Sequence, residues 1–303
     1  MEGKMSWRTV HIKDCEKMKI KLDNLEVTKL GEKYFIPLAD IATIIVEGVD
    51  TVITTRLLSQ ISKYNIVLVI CDQKYLPTGL FLSYGSYHKT AKRAMHQSQW
   101  SKSIKENIWK EIVSQKINNQ LEVIKILKYD SERSDLMKSF VENILPGDST
   151  NREGHAAKVY FNSLYGMNFT REDACIENAM MNFGYAIVRS QVARLVVGQG
   201  LLPMLGVFHR NEYNAYNLVD DLMEPFRPIM DYYINTKVLD EDEYLTYEKR
   251  LKLINFLNQP MKLDGKNSSV DIVMQNYILS FVKSMEDENV FLLNKIKLSD
   301  FLE

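Results

Sequence analysis

The sequence predicts an α+β chain: a small N-terminal β-sheet or sandwich domain with one helix, followed by a larger all-α C-terminal domain. Three observations carry this. Up to about residue 84, apolar residues alternate in short runs separated by turn residues. From about Ala91 onward the apolar period lengthens to that of a helix. Between them lies SYGSYHKTAKR, which is polar and contains glycine. The expected domains are 1–84 and 96–303, joined by a linker at 85–95.

Strands are expected at residues 7–12, 18–22, 25–30, 34–36 and 41–46, with turns at Asp23-Asn24 and Gly31-Glu32. Val52, Ile53, Leu57, Leu58 and Ile61 then fit one helical face over 51–64, capped by Asp50 or Thr51. A buried strand at 66–71 and a last β segment at 78–84 close the first domain. In the second, residues 103–127 carry apolar positions at helical spacing. Ser149 or Thr150 can cap a helix running to Tyr165, with Gly166 at its end. Residues 172–198 read as a long helix. Another is expected over 214–238, kinked where Pro225 removes a hydrogen bond to the carbonyl of Asp221. Residues 260–269 read as a loop and 270–285 as an amphipathic helix.

The chain has 303 residues, 46% hydrophobic and 25% charged, enough to bury a core. A net charge of −1 excludes a uniformly basic coat, so nucleic-acid binding must come from local patches. Cys15, Cys71 and Cys175 are scattered and odd in number, which points to a reducing, cytoplasmic setting. The start, MEGKMSWRTVHIKD, is unlike a signal peptide, and the apolar run 66–71 is too short to span a membrane.

Two stretches carry candidate chemistry. FHRNEYNAYNLVDDLMEPFRP, at 208–228, sets His209 ahead of Asp220, Asp221 and Glu224. On a helix, Asp221 and Glu224 share a face, and Asp220 and Glu224 a neighbouring one. Such acids form either a solvated helix face or a cation site, since like charges held together need something positive between them. The second stretch is TNREGHAAKVY at 150–160. Glu153 lies on a face with positions 156, 157, 160, 161 and 164 that is otherwise apolar. It either complements a helix N-terminus or needs a buried partner.

NREGHAAKVYF, MNFGYAIVRSQVAR with GQG, and FHRNEYNAYNLVDDLMEPFRP, in that order, resemble the CRISPR adaptation integrase, the first-numbered of the Cas proteins. The wording of these segments is most similar to the type II-A branch. The resemblance covers essentially the whole chain and implies the same domain order. It implies a catalytic, metal-binding triad of Glu153, His209 and Glu224, a position where many members carry aspartate. Asp221 matches the supporting acidic residue, and Asp220 is an additional acid of open role. Two carboxylates and an imidazole suit magnesium or manganese. His209 can serve as a ligand or carry protons. His155 is outside the motif positions, and His11, His88 and His96 have no partner pattern.

The implied activity is a metal-dependent DNA endonuclease and integrase. A fragment's 3′-hydroxyl attacks a phosphodiester at the repeat boundary of a CRISPR array. Implied partners are double-stranded DNA, a second copy in a homodimer, and the small ferredoxin-like second-numbered Cas subunit in a heterohexamer. An RNA-guided effector nuclease and a ring-forming accessory protein also belong to the type II-A setting. DNA contacts are expected from Lys89, Lys92 and Arg93 near the domain junction, Arg152 and Lys158 beside Glu153, Arg189 and Arg194 on the long helix, and Arg210. Arg227 either joins them or pairs with the acids. The competing functions are a general nuclease acting on branched DNA and a DNA-binding scaffold without chemistry.

Overall fold

The computed structural model describes residues 8–48, 50–73, 75–84, 90–127 and 131–301. His88 and Lys89 lie outside them. The chain divides into two units: Met1–Arg93 with Ala193–Leu201, and Ala94–Val192 with Leu202–Glu303. The end of the long helix thus belongs with the first unit, although it lies beyond the expected boundary.

The first unit has two four-stranded sheets. β1 (Arg8–Lys13), β5 (Ile41–Glu47), β7 (Val67–Cys71) and β8 (Pro77–Phe81) lie side by side in that order, parallel except for the β7–β8 pair. The other sheet has the order β4 (Glu32–Pro37), β3 (Asn24–Lys29), β2 (Lys17–Lys21), β6 (Val52–Ile53). The β2–β3 and β3–β4 connections are two-residue turns, Leu22-Asp23 and Leu30-Gly31, with positive φ at every position. That geometry matches strand twist in a tight hairpin. Met18, Leu25, Ile41, Ile44, Leu57, Ile61 and Leu68 form the core. Helix α1 (Thr55–Lys63) starts later than expected: Thr54 is its cap, its side chain accepting from the Leu57 amide. Val52 and Ile53 are instead a strand, because their backbone pairs with Lys17 and Met18.

The second unit is built on α3 (Lys102–Leu127). Ile108, Ile112, Val113, Ile117, Val123 and Ile124 are all fully buried, so the helix is enclosed around much of its girth. Its polar buried residues have specific partners. Asn119 Nδ2 donates to the carbonyls of Pro225 and Ile296, both at 3.0 Å, and its Oδ1 accepts from Leu298 N. Gln115 exchanges hydrogen bonds with Asn294 and Ile296 in the same way. The chain's last segment is thereby fixed along α3. The remaining helices are α2 (Thr90–Ser98), α4 (Ser131–Glu142), α5 (Arg152–Tyr165), α6 (Ile176–Gly198), α7 (Asn217–Met223), α8 (Arg227–Tyr233), α9 (Tyr247–Ile254) and α10 (Val270–Glu286).

Three further expectations change. The helix over 214–238 is α7, a 3-10 turn at Glu224–Phe226, α8, and a π turn at Ile234–Val238. Pro225 and Pro228 sit in first turns, where a missing N–H costs nothing. Residues 260–269 are not a loop but an antiparallel hairpin, β9 (Pro260–Leu263) with β10 (Lys266–Ser269), so the second unit is not wholly α. Its Asp264-Gly265 turn has φ of 50° and 75°. The cap of α5 is Asn151, not Ser149 or Thr150. Among the described residues no helix is long and apolar enough to cross a membrane.

Candidate active site

The start of α5 decides what Glu153 does. Asp148 is buried, and its carboxylate accepts from Arg152 N at 2.8 Å and Glu153 N at 2.9 Å. Asn151, in left-handed conformation, accepts from Gly154 N. The first amides of the helix are therefore satisfied by other side chains. A Cβ at Gly154 would stand 2.8 Å from Asn151 Oδ1, so the capping side chain would have to shift. The Glu153 carboxylate is left to reach Lys116 on α3, with which it forms an ion pair.

Lys116 Nζ pairs with two carboxylates: Glu153 through Oε1 and Glu224 through Oε2. Glu224 lies in the 3-10 turn that follows α7, which turns its side chain toward α3. Its other oxygen, Oε1, stands 3.0 Å from Arg227 Nε. The Arg227 guanidinium lies over the Tyr185 ring, 4.7 Å from its centroid. Burial alone would push the Glu224 carboxyl up, but Arg227 and Lys116 outweigh it and hold it below the usual range. Burial likewise opposes the Lys116 charge, yet Glu224 and Glu153 keep the ammonium above its ordinary value.

His209 follows Gly206, Val207 and Phe208 in a loop wrapped around Asp221 of α7. The buried Asp221 accepts from Val207 N at 2.7 Å and Phe208 N at 3.0 Å through Oδ2. Its Oδ1 accepts from His209 N at 3.1 Å and lies 2.6 Å from His209 Nδ1. A Cβ on Gly206 would come within 2.7 Å of Asp221 Oδ2 and 2.5 Å of the His209 carbonyl, so the wrap requires glycine. Trp109 of α3 stacks on Phe208 at 4.3 Å and meets His209 edge-on at 5.6 Å. The hydrogen bond to Asp221 raises the His209 pKa, against desolvation. His209 Nε2 has no hydrogen-bond partner among the described residues, and the ring is 41% exposed.

The two carboxylates offer the hard oxygen donors that a divalent cation takes. Glu153 and Glu224 already share one positive charge, and His209 is held through Nδ1 by a carboxylate, the usual support of a metal-binding imidazole. Among the described residues, no three His, Cys, Asp or Glu side chains are gathered as a ready-made cage. The cation now between the carboxylates belongs to the protein.

Asp220 stands apart from this group. Arg189 forks onto it at 2.8 Å through both Nε and Nη2, and Asn214 donates to it. Arg189, expected to face DNA, is thus engaged in an intramolecular pair. Arg194 donates to the carbonyl of Asn65 at 3.0 Å. Arg152 lies over Phe140. Lys92, Lys158 and Arg210 are exposed, and Lys89 is outside the described residues. His11 is buried against Glu47, and His155 is exposed on α5. A cleft of about 470 Å³ beside His209 is lined by Lys105, Arg210, Asn211, Glu212, Asn214 and other residues.

Sequence reasoning missed Lys116, Asp148, Trp109 and Lys105. Lys116 had a signal: it falls between Val113 and Ile117 on an apolar part of α3, where a lysine needs a carboxylate.

With this geometry in view, relatives are informative. Residues 10–256 match the family of the CRISPR associated protein Cas1. A CRISPR-associated endonuclease Cas1 of Neisseria meningitidis serogroup C (strain 8013) is 35% identical over 98% of this chain and 97% of its own length. The fold is also that of a casposase bound to integration product (TM-score 0.76, 16% identity, 98% of this chain and 94% of that one). A Cas6-RT-Cas1–Cas2 complex matches with TM-score 0.76 and 17% identity, over 99% of this chain and 37% of that longer one. Fold, motif order and these likenesses define the class of CRISPR-associated endonucleases. The chain belongs to the Cas1 family.

Proposed function

We propose that this chain is a metal-dependent DNA endonuclease and integrase that inserts short foreign DNA fragments into a CRISPR array. Glu153, His209 and Glu224 form its catalytic and metal-binding set, with Asp221 in support. The observation that carries the reading is the convergence of Glu153 and Glu224, from separate helical elements, on one cation position. The naming of a relative as an endonuclease and the description of a same-fold casposase with an integration product support it.

Glu153 and Glu224 would hold magnesium or manganese, which would neutralise charge on a phosphodiester while a 3′-hydroxyl attacks phosphorus and the strand's own 3′-oxygen leaves. Asp221 takes the Nδ1 side of the His209 ring, so that once the ring is neutral Nε2 is the nitrogen left to ligate or to accept the hydroxyl proton. Trp109 and Phe208 keep that ring from swinging. Lys105 and Arg210 in the adjoining cleft offer positive charge to the incoming strand.

Partners follow the same reading. The protein binds double-stranded fragments and array DNA and acts as a homodimer. It joins the small ferredoxin-like Cas2 subunit in a heterohexamer, a pairing supported by the same-fold Cas1–Cas2 complex. It works in the cytoplasm, alongside an RNA-guided effector nuclease and a ring-forming accessory protein. The test is an integration assay on supercoiled array DNA with the Cas2 subunit present. Joined product requires a divalent metal and a free 3′-hydroxyl. Cleavage of branched DNA without joining would favour a general nuclease.

A further inference from the structure

The position between Glu153 and Glu224 is filled by the protein itself. Lys116 Nζ pairs with Glu153 Oε1 and Glu224 Oε2 at once, so one ammonium bridges both carboxylates. An ion bridging Glu153 and Glu224 can use the second Glu153 oxygen, but on Glu224 it must take an oxygen already paired, and Oε2 is the one Lys116 holds. The remaining oxygen of Glu224 is taken by Arg227, which is stacked on Tyr185 and cannot easily be displaced. Two positive centres cannot share one position at contact distance. Of the two cations on Glu224, the exchangeable one is the lysine, a point charge on a flexible four-carbon stem. The α3 backbone beneath it is fixed by Gln115 and Asn119, so the stem moves and the helix stays.

We propose that the Lys116 ammonium is a resident counter-ion standing where the divalent metal enters, so that metal binding requires Lys116 to leave the two carboxylates. The inference rests on the metal-site reading given above. Its physical sense is that a site with two facing carboxylates, one of them buried, repels itself when empty. Lys116 keeps the pair assembled until the metal arrives, and its displacement weakens metal affinity in return. A permanent structural salt bridge would differ in one respect: the ammonium would stay in place while metal bound elsewhere.

The test counts free Mn²⁺ by electron paramagnetic resonance against the purified full chain. Lys116→Met should bind Mn²⁺ at least about tenfold more tightly than wild type, a change of about 1.4 kcal/mol. Lys116→Arg, which keeps a cation there, should bind no more tightly than wild type. Lys110→Met, which removes an exposed charge from the same helix, should change affinity far less. Equal affinities for wild type and Lys116→Met overturn the proposal. If Lys116→Met folds only with Mn²⁺ present, that dependence supports it.

A wild-type crystal grown with Mn²⁺ gives a second answer that needs no variant. An anomalous peak between Glu153 and Glu224, with Lys116 withdrawn, supports the exchange. A peak elsewhere, with Lys116 still bridging, overturns it and leaves a metal site of different placement. Absence of Mn²⁺ binding to every one of these proteins overturns the metal reading and the exchange together.

Discussion

Asp221 holds His209 at two points: Oδ1 lies 2.6 Å from the ring Nδ1 and accepts the backbone N–H of the same residue at 3.1 Å. Asp221 is wholly buried, so His209 is tied to a carboxylate with no freedom of its own. The hydrogen bond raises the His209 pKa, whereas the proposed role needs the ring neutral. Activity should therefore rise with pH as His209 loses its proton. Asp221→Asn removes the charge that stabilises the imidazolium, so the acidic limb of the pH–rate profile should move to lower pH. The maximal rate should fall roughly 10- to 100-fold, as for loss of an outer partner of a metal-bound histidine. An unmoved acidic limb would show that His209 does not set it.

Glu153 and Glu224 should both be required for joining, yet differ in their cost to the fold. Glu224→Ala leaves the buried Lys116 only its pair with Glu153 and takes the carboxylate from the partly exposed Arg227, and should cost about 3 kcal/mol. Glu153→Ala leaves Lys116 its pair with Glu224 and removes a side chain that is 30% exposed, so it should cost markedly less. Urea unfolding of the two variants checks the difference. Equal costs would mean that the Lys116 charge is not shared as the ion pairs indicate.

Gly206→Ala should damage the site without replacing any of its three proposed catalytic residues. The added methyl would meet the His209 carbonyl and Asp221 Oδ2, which are backbone and buried side chain and give little. The wrap around Asp221 must open, at a cost of about 1–3 kcal/mol. Joining should fall with it, and the His209 ring resonances should shift in a histidine NMR spectrum. Unchanged resonances would contradict the tight wrap.

Asp231 should tie stability to pH. It accepts from Tyr185 at 2.6 Å and Tyr160 at 3.1 Å, and burial raises its pKa to about 6 despite these donors. The folded state thus favours the protonated acid. Its stabilising effect is complete below the unfolded value near 4 and is lost as pH rises through about 6, by roughly 3 kcal/mol in all. Asp231→Asn should remove that loss, so the urea midpoint should change less between pH 4 and 7 than in wild type. An identical pH slope in the variant would remove Asp231 as its source.

Much of the fold is legible because its signals are local. Alternation marks β1 and β2, turn residues bound β3 and β4, an apolar run marks β5, and helical spacing marks α3, α6 and α10. The hairpin at Asp264-Gly265 is misread because its strands are four residues long, too short for alternation to outweigh Pro260 and the polar run after it. The start of α1 is misread because Val52 and Ile53 suit either period, and only pairing with β2 decides between them. In the site, the motif positions of Glu153, His209 and Glu224 are readable one by one. Their connections are not: Lys116 reaches both glutamates from α3, across 37 positions to Glu153. Arg189 reads as a surface charge because its partner, Asp220, is 31 positions away. Long-range pairing leaves no trace in local spacing.

The most direct measurement is strand joining by the triple variant Glu153→Ala, His209→Ala, Glu224→Ala beside wild type. The substrate is a 3′-hydroxyl fragment with supercoiled array DNA, the Cas2 subunit and Mg²⁺ or Mn²⁺. Wild type should form joined product that disappears with chelator or with a 3′-deoxy end. The triple variant should bind DNA and form none; normal joining by the triple variant would contradict the assignment of chemistry to these three residues.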